Sequence, residues 1–191
     1  MKQLHKSYSF CAILLAALML SACGWPSVGN LRDPALPGPA ETYTNPDIGF
    51  AIDYPADWYA QTGRNLILTS FEPAKVGQGG ISAGESKIDL LPPASPRLNQ
   101  PLDQMVEQVK RDSKVLWEEN WILRGHVPAV RLQTRSEMSG EVAVLLTRIS
   151  DTSLRVAGYG DLTLFDAIVR TLRPASWMAT DVNYPDNDSV Q

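Results

Sequence analysis

Residues 142–146 read Val-Ala-Val-Leu-Leu, inside the stretch Glu141–Ile149. Successive side chains of a strand point to opposite faces, so a strand apolar at both parities demands cover above and below. A chain holding such a strand must build a layered domain with that strand inside a sheet.

The neighbouring segments supply the rest of the sheet. Ile48–Tyr54 places Ile48, Phe50, Ile52 and Tyr54 on one side, the period of a half-buried strand, and Pro55 ends it. Leu66–Phe71 and Lys87–Leu91 are two further short strands, the second stopped by Pro92-Pro93. Between them lies a loop with glycines at 77, 79, 80 and 84. Val115–Arg124 carries Trp117, Trp121 and Leu123 on one parity, with Glu118-Glu119-Asn120 as a point of bending. Gly125-His126 predicts a type II′ hairpin turn into Val127–Arg135, and Leu154–Tyr159 follows the two-faced strand.

Two helices complete the pattern. Asn99–Lys114 repeats Leu102, Met105, Val106 and Val109 at spacings of three and four, with Pro101 at the first helical position. Its acidic residues Asp103 and Glu107 lie toward the positive end of the helix dipole; Lys110, Arg111 and Lys114 lie toward the negative end. Asp161 predicts the cap of a second helix, Leu162–Leu172, with the face Leu162, Phe165, Ile168, Val169 and Leu172. Short turns favour antiparallel pairing. The expectation is an α+β domain over 42–174, an α/β/α sandwich whose central, mainly antiparallel sheet is covered by one helix on each face. Residues 175–191, with Trp177 and an Asp/Asn-rich run, are expected to fray.

The N-terminal segment has a different character. Lys2 and Lys6 precede the eleven-residue apolar run Phe10–Leu20, and Ser21-Ala22 follow. That is a secretory signal. A membrane-crossing helix needs about 20 apolar residues. Leu20-Ser21-Ala22-Cys23 resembles the lipobox of bacterial lipoproteins. The resemblance implies a signal peptide over 1–22, a diacylglyceryl group on the Cys23 thiol, and cleavage before it. Ordinary cleavage after Ala22 is the alternative. Two or three acyl chains meet the requirement that stable anchoring needs more than one. The expected home is the exported side of a bacterial membrane, the outer membrane in a Gram-negative cell. Residues 24–41 hold Pro26, Pro34, Pro37, Pro39 and three glycines, and with Cys23 read as a tether. Its reach is roughly 20–25 Å as a coil and about 55 Å if extended. An arm packed on the domain is the alternative.

Composition narrows the function classes. The only cysteines are Cys11, which leaves with the signal, and Cys23. The domain therefore has no disulfide, thiol nucleophile or thiolate metal site, and rests on its core. Removal of residues 1–22 leaves a net charge of −6, which argues against nucleic acid as a partner.

No cofactor or catalytic motif appears. His126, the only histidine after cleavage, sits in a predicted turn, and no Gly-x-Ser-x-Gly elbow exists. The glycine loop lacks the spacing of a phosphate or dinucleotide site. Asp186, Asn187 and Asp188 lack the spacing of a calcium loop. Glu118 or Glu119 with Asp151 or Asp161 could pair as hydrolytic carboxylates, provided two face each other across a cleft. Trp58, Trp117 and Trp121 could line a ligand groove or only a core.

The stretches YTNPDIGFAIDYPADW, GHVPAVRLQ and LFDAIVRTLRP resemble the opening strand, hairpin return and closing helix of PsbP-like domains, over about residues 43–174. The resemblance implies an α/β/α sandwich with an antiparallel sheet, in a family whose members share binding and assembly more than one chemistry. The motifs consist of packing residues, so no functional residue carries over. The sequence thus points to a membrane-anchored, non-catalytic module that binds another envelope protein. The alternatives are a carrier of a small apolar molecule, which needs an enclosed pocket, and an exported carboxylate hydrolase.

Overall fold

The computed structural model describes residues 36–75, 80–136 and 140–177. The signal segment, Cys23, most of the tether, residues 76–79 of the glycine loop and the tail beyond Trp177 lie outside the described residues. No helix among the described residues is long and apolar enough to cross a membrane.

Ten strands, two α-helices and two short 3-10 turns alternate along the described chain. The strands are β1 (Ala40–Asn45), β2 (Phe50–Pro55), β3 (Tyr59–Gln61), β4 (Leu66–Thr69), β5 (Ser86–Leu91), β6 (Lys114–Leu123), β7 (Val127–Ser136), β8 (Gly140–Ile149), β9 (Thr152–Gly160) and β10 (Arg173–Pro174). Helix α1 spans Leu102–Asp112 and α2 spans Phe165–Val169. A seven-stranded antiparallel sheet runs in the order β3-β4-β5-β9-β8-β7-β6, and a three-stranded one in the order β1-β2-β10. Helix α1 is the crossover that carries the chain from β5 to the far edge at β6.

The two-faced strand behaves as its sequence demands. On β8, Val142, Val144 and Leu146 join Val130 and Leu132 of β7 beneath Met105, Val106 and Val109 of α1. The alternate residues Ala143 and Leu145 face the opposite way, into a larger core with Phe50, Ile52, Leu90, Phe165, Ile168 and Leu172. Both cores exclude solvent: Leu68, Leu90, Leu132, Val144 and Ile168 are fully buried.

The second face departs from the α/β/α expectation. Its cover is the small sheet plus α2, so the domain is sheet-dominated and its helices are minor. The strand read at Ile48–Tyr54 is β2, and it pairs with β1 and β10 in the small sheet. The second helix is five residues long, well short of Leu162–Leu172. Tight bonds from the Phe165, Thr171 and Leu172 amides to carbonyls three residues back bracket it, and Arg173-Pro174 then turns to pair with β2. The Asp161 carboxylate caps only the turn before α2, accepting from the amide and hydroxyl of Thr163 at 3.0 and 2.5 Å. Those bonds hold it below the usual aspartate range. Pro101 stands one residue before the first helical position of α1.

Strand β1 begins at Ala40, and Leu36 packs against the larger core. Ala175 donates to the Gly49 carbonyl at 2.8 Å, and Trp177 lies against Gly125. The β6–β7 turn has three residues, with positive φ at both Gly125 (74°) and His126 (58°), which differs from a two-residue type II′ turn. A Cβ on Gly125 would come within 2.9 Å of Pro174, so close approach as well as φ favours glycine here.

Candidate functional site

Strand β6 is the last of the large sheet, so one side of its backbone is unpaired by any described strand. Ten residues make it a long edge, of the kind proteins usually shorten, charge or cover. All its residues except Val115, Trp121 and Leu123 are exposed. Leu116 (40% exposed), Trp117 (44%) and Ile122 (65%) form an apolar series on it. An irregularity between Val115 and Trp117, where Leu116 is the extra residue, sets the parity of everything that follows. The predicted bend at 118–120 does not occur; pairing with β7 is continuous from Trp117 to Leu123.

Downstream of the bulge, Trp117, Glu119 and Trp121 share the face that carries α2. Trp121 is buried, donates Nε1–H to Glu119 at 2.8 Å, and lies under the guanidinium of Arg170 at 3.7 Å from its ring centre. No carboxylate stands within salt-bridge distance of Arg170 among the described residues. Beside it, the Arg131 side chain is nearly buried between the Trp117 and Phe165 rings, at 5.4 and 4.9 Å. Arg131 is fully engaged, with Asp166 at 2.7 Å, Gln133 and the Leu132 carbonyl. It therefore fixes Trp117 in place, while Arg170 keeps a cation on offer over an aromatic ring. On the other face, Glu118 pairs with Lys110 of α1 at 2.9 Å. That hydrogen bond, chiefly, holds the ammonium above its ordinary value.

The three tryptophans do not form one groove. Trp117 and Trp121 stand together on β6, whereas Trp58 abuts β3 at the opposite edge of the seven-stranded sheet. Trp121 is core, as its parity allows, and Trp117 is half exposed. Sequence reasoning missed Arg170 and Arg131. The signal available was arginine among apolar residues, in AVRLQ and AIVRTL.

The candidate carboxylates are scattered. Glu118 and Glu119 lie on opposite faces of β6, Asp151 sits fully exposed in the β8–β9 turn, and Asp161 follows the far end of β9. No two face each other. His126 is exposed in its turn. No group of three or more metal-ligating side chains occurs among the described residues. A half-open cleft of about 320 Å³ mixes polar groups (Asn45, Asp47, Arg64, Asn99) with the apolar Ile48, Pro92, Pro93 and Ala94. Its walls are fixed in part by Asn99, whose carbonyl accepts from the amide and hydroxyl of Ser153 at 3.0 and 3.1 Å. An apolar cargo needs enclosure and an apolar lining.

No protein-family model and no curated protein matches the chain. Among solved structures it is similar to the cyanobacterial PsbP protein (CyanoP) of Synechocystis sp. PCC 6803, at 10% identity over 71% of this chain and 92% of that one, with a TM-score of 0.43. It is also similar to a protein of Bacteroides thetaiotaomicron VPI-5482, at 9% identity, 70% and 48% coverage and a TM-score of 0.39. A third is a Pseudomonas aeruginosa protein of unknown function, at 14% identity, 66% and 87% coverage and a TM-score of 0.37.

Proposed function

We propose that this chain is an exported lipoprotein, held to the bacterial envelope by acylated Cys23, whose PsbP-like domain works by binding another protein along the β6 edge. The observation that carries this reading is β6 itself. A ten-residue edge strand keeps Leu116, Trp117 and Ile122 exposed, although a lone exposed apolar edge invites unwanted pairing. An edge of this kind binds through its backbone and selects through alternate side chains. The scattered carboxylates favour this over hydrolysis, and a cleft open to solvent, where an apolar cargo needs enclosure, favours it over apolar transport. Lipidation rests on the Leu20-Ser21-Ala22-Cys23 motif.

The test uses the full chain expressed in a Gram-negative host. Wild type, Cys23→Ala and the edge variant Ile122→Lys/Leu116→Lys are crosslinked in intact envelopes, and adducts are read by mass. The expectation is an acyl mass on the wild-type N-terminal peptide, release of Cys23→Ala from membranes, and adducts that vanish in the edge variant. Adducts unchanged in the edge variant would remove β6 from the account. Firm membrane retention of Cys23→Ala would remove the anchor.

A further inference from the structure

The charge pattern of β6 suits one particular occupant. A strand that pairs antiparallel with its own copy does so about a two-fold axis normal to the sheet, and side chains directly opposite must share a face. The axis therefore passes through a single residue position. Exposed charges on an edge usually oppose self-pairing, and on β6 they do so in three registers near its centre. An axis at Glu118 or at Glu119 sets two like carboxylates face to face. An axis at Trp121 stacks two Trp121–Arg170 pairs against each other and brings two guanidinium groups together.

An axis at Asn120 has neither fault. It places Glu119 opposite Trp121 of the second copy, Trp117 opposite Leu123, and Glu118, already paired with Lys110, opposite Ile122. Arg170 lies 3.7 Å over the Trp121 ring with no carboxylate within salt-bridge distance among the described residues; Glu119 keeps Oε2 on Nε1–H of its own Trp121 at 2.8 Å and brings Oε1 to Arg170 of the other copy. The contact repeats by symmetry. Trp117, half exposed alone, extends the Trp121–Leu123 row of the other copy. The neutral Asn120 side chains, both exposed, meet at the axis.

We propose that β6 pairs antiparallel with β6 of a second copy about Asn120, each Arg170–Trp121 stack receiving Glu119 of the other chain. This rests on the reading of β6 as the docking edge and names the partner as the chain itself.

The test is disulfide trapping in envelopes with single-cysteine variants of the full chain, wild type serving as the Cys23 control. Directly opposed Cα atoms lie about 4.5–5.5 Å apart, within the roughly 7 Å limit for a disulfide. Asn120→Cys is expected to give mostly covalent dimer under mild oxidation. Ile122→Cys alone stays largely monomeric, because its own copy is offset by four residues. Co-expressed Glu118→Cys and Ile122→Cys crosslink to each other. Arg170→Glu and Glu119→Arg each lower trapping through Asn120→Cys at least several-fold, and the two together restore it. Thermal melts of each variant establish that the domain is folded.

Three outcomes overturn the proposal: Asn120→Cys remaining monomeric in a folded chain, Ile122→Cys crosslinking as well as Asn120→Cys, or no rescue by the double reversal. If Asn120→Cys stays monomeric while the edge variant still loses adducts of another mass, β6 remains a docking edge and only self-pairing fails.

Discussion

Gly158 shows how close the packing is at single positions. It sits on β9 beneath α2, and a Cβ there would stand 2.3 Å from Cδ2 of the buried Phe165. Gly158→Ala is expected to cost about 1–3 kcal/mol by overpacking, read as a lowered melting temperature. Tyr54 gives a pH test. Its ring is buried and its hydroxyl donates to Glu41 at 2.9 Å, and burial first, then Glu41, raises its pKa above 10.0. The unfolded chain releases that proton first, so this stabilisation is complete below about pH 10 and is lost as pH rises through the folded value. Denaturant titrations should show Tyr54→Phe losing less stability than wild type between neutral and strongly alkaline pH. Parity made burial legible at Trp121 and Leu123 but not at Trp117, which shares it and stays half exposed. Arg131 and Arg170 were not legible, because their roles depend on rings from β6 and α2 that meet only after folding.

The elements hold through side chains that stitch one to another. The Thr171 hydroxyl, just past α2, accepts from the Asp53 amide of β2 at 2.8 Å and donates to one of two carbonyls, Ile168 at 2.7 Å or Asp53 at 3.1 Å. Asp53 itself receives Thr42, Arg124 and Arg173, which ties β1, the β6–β7 turn and β10 to β2. Thr171→Val keeps the shape and leaves the Asp53 N–H without this partner. It is expected to cost about 1–3 kcal/mol in urea unfolding. Helix α1 was readable because its apolar spacing and its charge order agree. Helix α2 shows the limit of that reasoning: its apolar face is right and its length is not. Periodicity identifies the buried side chains, but the tertiary bonds to β2 decide where the helix stops. Strand β1 went unread because four of its six residues are exposed, so no alternation announces it.

For the whole molecule, the two-faced strand β8 predicted cover on both sides, and both sides are covered. What it could not specify was the kind of cover, since a helix and a small sheet bury the same apolar row. The topology has the same character. Short turns implied antiparallel pairing, while the jump from β5 across to β6 follows from α1 spanning the face, a long-range fact with no local signal. That jump leaves β6 at the edge, and the docking role assigned to it depends on nothing else so much as on a backbone side that no described strand pairs. The most direct measurement is amide hydrogen exchange along β6 in the full chain, compared between envelope-held wild type and the Ile122→Lys/Leu116→Lys variant. The outward amides between Trp117 and Ile122 should exchange slowly in wild type and much faster in the variant, with α1 amides alike in both. Equal, fast exchange along β6 in both chains would contradict an occupied edge and, with it, the function proposed here.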